Sequence, residues 1–243
     1  FSPKNMNRLP FRTTVVLLLA TGLTVILNGC GQDLLNRKVT EGIIEYALSF
    51  PEYDPNGMMA NMLPEKTTLS FTPEKQVAEL SAGMGVFKTS MIANNDTKQL
   101  DYHLSVMSKK LVANLHPRDL HIFNADCEPI SILYTTAVDT VAGYPCKKAI
   151  AIFPGLDQPE IEIWYTDRIE VKDPNWFGPF SEIPGVLLRY ELVQYGMRMR
   201  LDATTVTVGP VDLAKFAAKD NYQNVSPEAL HKELEEVLGT FTM

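Results

Sequence analysis

From about residue 40 onward, apolar and polar residues alternate with a period of two, the mark of half-buried β-strands. Ile44, Tyr46, Leu48 and Phe50 share one face of the first run. Leu100, Tyr102, Leu104 and Val106 alternate with Asp101, His103 and Ser105. Ile161, Ile163 and Tyr165 alternate with Glu160, Glu162 and Trp164, and Met197, Met199 and Leu201 with Arg198, Arg200 and Asp202. Further runs lie near 67–71, 75–80, 84–92, 129–136, 146–153 and 186–195. Turn signals separate them at Asn94-Asn95-Asp96, Ala142-Gly143, Pro154-Gly155 and Gly178-Pro179. About ten short strands with one apolar face predict an antiparallel meander that curls into a barrel or half-barrel.

The pattern changes near the C-terminus. Leu230, Leu234, Val237 and Leu238 recur at helical spacing. Ser226 is placed as N-cap, Pro227 as N1 and Gly239 as the residue after the last turn. A shorter helical piece is expected over Val211–Ala218. Between Asp54 and Pro64, Met58, Met59 and Met62 read as gap-fillers of the core, with a ligand lid as the alternative. No internal repeat or linker divides residues 40–243, so they read as one domain.

The first thirty residues obey different rules. Lys4, Arg8 and Arg12 precede an apolar run from Thr14 to Leu27. That run is shorter than the ~20 residues of a membrane-spanning helix and suits a signal peptide. It ends in Leu27-Asn28-Gly29-Cys30, which resembles a bacterial lipobox. The expected division is a signal peptide over 1–29, with Met6 a plausible start, then a lipidated Cys30 and tether over 30–39. An uncleaved anchor helix is the alternative. Acyl chains on Cys30 would supply the membrane attachment, because two or three chains hold a protein that one holds only marginally.

Composition narrows the function classes. The 243 residues carry 29 acidic against 22 basic side chains, a net charge of −7. This argues against nucleic acid as a partner. Cys127 and Cys146 remain beside Cys30; they read as a disulfide or as two separate buried thiols. His116 and His121 flank Asp119 at a spacing that no helical zinc pair uses, so they read as loop histidines in water and no metal site is expected. No P-loop, nucleophile elbow or dinucleotide fingerprint is present. Glu160 and Glu162 read as exposed surface rather than an acid–base pair. Neither a cofactor nor enzymatic activity is expected.

The order of motifs in the second half carries a resemblance. Gly143-Tyr144-Pro145-Cys146-Lys147-Lys148-Ala149 precedes Ile163-Trp164-Tyr165-Thr166, then Gly178-Pro179-Phe180, then Ile183-Pro184-Gly185-Val186-Leu187-Leu188. This resembles the GLPGLI-type and related domain-of-unknown-function lipoprotein families of Bacteroidetes, although Glu182-Ile183 stands where those have Gly-Leu. The resemblance implies a fold of the LolA/LppX type. The expected fold is therefore mainly β: an antiparallel meander forming an unclosed half-barrel, with a C-terminal α-helix and one or two short helices. It also implies a cell-envelope lipoprotein that binds a lipid or other hydrophobic ligand, or an envelope protein, or else a structural lipoprotein with a filled barrel. An outer-membrane location facing the periplasm is expected, with the cell surface as alternative. Asp139-Thr140-Val141 resembles a short O-glycosylation motif of the same bacteria.

Overall fold

Alternation of side chains across a pleated strand dictates most of the architecture, because each strand can bury only one set of positions unless both faces are covered. The computed structural model describes residues 38–54, 62–124, 130–153 and 160–239. Cys30, the segment before it, Met58, Met59, Cys127 and Pro154-Gly155 lie outside these residues. The strands are β1 (Gly42–Ser49), β2 (Lys66–Phe71), β3 (Lys75–Ala82), β4 (Phe87–Asn94), β5 (Gln99–Val106) and β6 (Lys109–Leu115) in the first half. In the second half they are β7 (Ser131–Val141), β8 (Tyr144–Ile152), β9 (Ile161–Thr166), β10 (Val186–Gln194), β11 (Met197–Val208) and β12 (Gln223–Asn224). A short helix α1 (Leu120–Phe123) comes after β6, and α2 (Pro227–Gly239) ends the domain.

The twelve strands of the described residues form one sheet in the order β12-β6-β5-β4-β3-β2-β1-β11-β10-β9-β8-β7. Its edges, β12 and β7, do not pair, so the barrel is unclosed. Every pairing is antiparallel except β12 with β6. The order is two meanders rather than one. β1 to β6 run outward from the centre, and β7 to β11 run back from the far edge. The halves join where β1 pairs with β11, with Ile44 opposite Val206 and Leu48 opposite Leu201.

The hydrophobic pattern does not announce the strand over 109–115. Its alternation is weak because the inward positions include the small Ala113, while Val112 sits on the other face, where Val225 N–H donates to its carbonyl at 2.9 Å. β7 and β8 are joined by the expected two-residue turn, with Ala142 at φ 48° and Gly143 at φ 83°. Gly185 lies where a Cβ would meet the Thr166 carbonyl at 2.5 Å, so β10 approaches β9 through a position only glycine fits. Met62 is 46% exposed and is not a core gap-filler.

The convex face is partly covered. After β11 the chain forms a 3₁₀ turn at Leu213–Phe216, where a short helical piece is expected. Lys215 Nζ and Lys219 Nζ reach Glu79 on β3 at 3.1 and 3.3 Å. Tyr222 packs edge-on against His103, ring centroids 5.0 Å apart. This cover explains why His103, on the polar side of β5, is 1% exposed. Capping of α2 agrees with the sequence: Ala229 N–H donates to Ser226 Oγ at 3.2 Å, and Leu230 and Leu234 are fully buried. Gly239 is the last helical residue instead of the one after it. Among the described residues no helix is long and apolar enough to cross a membrane.

Candidate ligand-binding site

The inward positions of the two meanders face each other across a cavity of about 240 Å³. Tyr46, Leu48 and Phe50 enter it from β1 and the residue beyond its end, alternating as the sequence predicts. Ala78 and Leu80 enter from β3, Thr89 and Met91 from β4, Tyr190 and Leu192 from β10, and Met197, Met199 and Leu201 from β11. Among the described residues that line it there is no Asp, Glu, Lys, Arg or His. The charges on β10 and β11 point the other way. Arg189 Nε donates to both carboxylate oxygens of Asp202 at 3.1 Å, and Arg200 Nε donates to Glu191 Oε1 at 2.9 Å. These pairs sit directly opposite one another in register, so the sheet sorts charge outward and apolar surface inward.

One end of the cavity is closed by a strap, the connection 167–185 between β9 and β10. It crosses the ends of several strands and is tied down at each. Val39 bridges Ile169, with Val39 N–H donating to the Arg168 carbonyl at 2.8 Å. Lys172 N–H donates to the Pro73 carbonyl at 2.8 Å, and Lys98 Nζ pairs with Asp173 at 2.8 Å. Gln76 Nε2 donates to the Pro174 carbonyl at 2.6 Å. Asn95 Oδ1 accepts from Gln76 Nε2 at 3.2 Å and from Trp176 Nε1 at 2.9 Å. Asn175 Nδ2 donates to the carbonyls of Ile183 and Gly185 at 2.7 and 2.9 Å. Phe177, Pro179 and Phe180 then form part of the lining. The fully buried Asn95 does not read from sequence, because Asn-Asn-Asp signals an exposed turn unless another segment lies on top of it.

The polar groups in the cavity are few and neutral. Tyr46 Oη donates to the Leu187 carbonyl at 2.8 Å, and its ring meets Tyr190 edge-on at 6.4 Å. Burial holds the Tyr46 and Tyr102 hydroxyls above the ordinary phenol range and pushes Tyr190 up to about 12. At neutral pH these phenols can donate or accept hydrogen bonds but carry no charge. The arrangement suits an uncharged, apolar occupant with at most a few polar atoms.

Other candidate residues lie elsewhere. Cys146 is a buried thiol on β8 whose Sγ donates to the Tyr144 carbonyl at 3.4 Å; burial pushes it up to about 11. Cys127, with which it reads from sequence either as a disulfide or as a separate buried thiol, is outside the described residues. Tyr165 is buried while Trp164, on the other face, is half-buried beneath Lys148. Glu160 and Glu162 are exposed, and Glu162 pairs with Lys148. His121 Nδ1 lies 2.7 Å from the Arg118 carbonyl, and Asp119 Oδ2 caps His116 N–H at 2.9 Å. Among the described residues, no three His, Cys, Asp or Glu side chains are placed to hold a metal ion. Asp139 and Thr140 are exposed near the β7–β8 turn.

These features define a mainly β, unclosed half-barrel with a strapped apolar cavity. No family model matches the chain and no curated protein matches it. The likeness to GLPGLI-type lipoproteins therefore rests on motif order. Among solved structures, the chain is similar to PNGF-II crystallised in space group C2, with a TM-score of 0.51 and 16% identity over 81% of this chain. It spans 33% of that chain's length, and the likeness bears on the fold alone. Weaker similarities are to the MucA/MucB complex of Pseudomonas aeruginosa (TM-score 0.33, 10% identity, 76% of this chain and 58% of that one) and to a β-barrel-like protein of a domain of unknown function, DUF1849, from Brucella abortus (TM-score 0.34, 8% identity, 72% and 100%).

Proposed function

We propose that the chain is a non-enzymatic cell-envelope lipoprotein whose half-barrel holds one hydrophobic ligand, of the class of a single acyl chain. The observation that carries this is the cavity itself: about 240 Å³, bounded by both meanders, with no charged side chain in its lining among the described residues. Small-ligand pockets run from roughly 300 to 1,000 Å³, so this volume suits one slender chain better than a two-tailed lipid. Phenol hydroxyls and the side-chain amide oxygens of Gln76 and Asn175 among the lining can meet the polar end without a buried charge. The lipobox-like Leu27-Asn28-Gly29-Cys30 supports attachment to the outer membrane through Cys30, with the domain facing the periplasm.

The test is titration of delipidated protein with a fluorescent fatty acid. Saturable binding of one probe per chain is expected. Ala78→Trp places an indole in the cavity and should weaken binding at least about tenfold while leaving cooperative unfolding intact. Equal binding by this variant would move the ligand out of the cavity. A cavity that takes up no probe would leave the other reading, a structural lipoprotein with a filled barrel.

A further inference from the structure

We infer that the end of the half-barrel opposite the strap is a bilayer-docking face, formed by the tips of the β3–β4 and β5–β6 hairpins. The inference rests on the hydrophobic-ligand reading and adds the route by which such a ligand enters. Met84, at the first tip, is fully exposed at 104%, Val86 beside it 53%, and Met107, at the second tip, 86%. Met84 and Met107 both stand in the left-handed backbone region, at φ 53° and 52°. Side-chain-bearing residues avoid that region, and Met has no short polar group to offset the cost as Asn or Asp has. The fold thus holds two long apolar side chains outward at the turns where glycine or asparagine would be easier. The tips form one unit, because Met107 N–H donates to the Val86 carbonyl at 3.2 Å.

Two further observations select a bilayer over a protein. Ala82 and Phe87, which flank the first tip, line the cavity, so the tips stand at its rim. Behind them, on the outer face, Lys88, Ser105 and Lys110 lie side by side in register across β4, β5 and β6. No ion pair of either lysine is found among the described residues, and Lys110 Nζ lies 5.9 Å from the centroid of the Tyr222 ring. At about 3.4 Å per strand residue, this row sits at headgroup depth when the tips reach the acyl boundary. A protein partner needs a contiguous patch of about 800 Å² a side; isolated projecting points suit a deformable lipid surface. With a net charge of −7 the whole chain has no general attraction to anionic lipid, so the docking is local.

The experiment uses the full chain with Cys30→Ser and Cys127→Ser, carrying an environment-sensitive dye at Met84→Cys, Met107→Cys or, as control at the opposite end, Val208→Cys. Vesicles of phosphatidylcholine and phosphatidylglycerol carry acyl-chain spin labels. The dyes at 84 and 107 should shift to the blue and be quenched severalfold, with no change at 208. No quenching at the tips, or equal quenching at 208, overturns the inference. In a second arm, Met84→Asp/Met107→Asp should slow transfer of a fluorescent fatty acid from the vesicles by about tenfold at unchanged equilibrium affinity for the probe. A matching loss of affinity would mean that the tips shape the cavity and would also overturn it. Failure of the unaltered domain to take up any probe would sink the ligand reading, and the quenching arm would still decide the docking.

Discussion

His103 shows how a single position departs from its strand pattern. Its alternation puts it on the polar side of β5, yet Tyr222 and the backbone of Lys219 lie over it, with Lys219 N–H donating to Nε2 at 3.5 Å. Burial, and then the Lys219 charge, hold its pKa below the ordinary histidine value. The folded state therefore binds fewer protons than the unfolded state as pH falls below about 6.5, and stability drops through that window by at most about 1.4 kcal/mol per pH unit. Thermal melts from pH 7.5 to 5 should show this fall, and His103→Gln should lack that component. Glu79 answers to the same cover in the opposite balance. Burial alone would raise its carboxyl, but the hydrogen bonds and charges of Lys215 and Lys219 outweigh it and hold it low. Gly185 is the other telling residue. Gly185→Ala would drive a methyl into the Thr166 carbonyl and should cost about 1–3 kcal/mol in urea unfolding.

At the scale of elements, the strap decides whether there is a cavity at all. Asn95 Oδ1 holds both Gln76 and Trp176, so Asn95→Ala leaves the half-buried Trp176 indole N–H and one of the two Gln76 amide hydrogens short of a partner, while Gln76 keeps Pro174. The expected loss is about 2 kcal/mol, with faster amide exchange at residues 175–178 than in β1. Much of the sheet was legible from alternation, because the strands with large inward residues announce themselves: Leu100, Tyr102, Leu104 and Val106 are all buried. β6 was not, since Ala113 contributes little to the pattern. Nor was the pairing of β1 with β11, because alternation specifies a strand's faces but not its neighbour. The C-terminal helix was legible down to its cap, since Ser226, Pro227 and the apolar stripe are local signals.

For the whole molecule, the sequence pointed to a concave apolar face but could not tell a filled barrel from an empty one. That depends on side-chain volumes summed across strands far apart in the chain, such as Ala78 on β3 and Met199 on β11. Their small and unbranched side chains leave the space that the strap then closes. Whether that space holds a hydrophobic molecule is tested most directly by native mass spectrometry of the full chain purified from its own membranes. One hydrophobic molecule per chain should be retained, and Ala78→Trp prepared in parallel should lose it while keeping its fold. Chains that carry only their own polypeptide and anchor mass, with no retained molecule in either protein, would contradict the ligand-binding role.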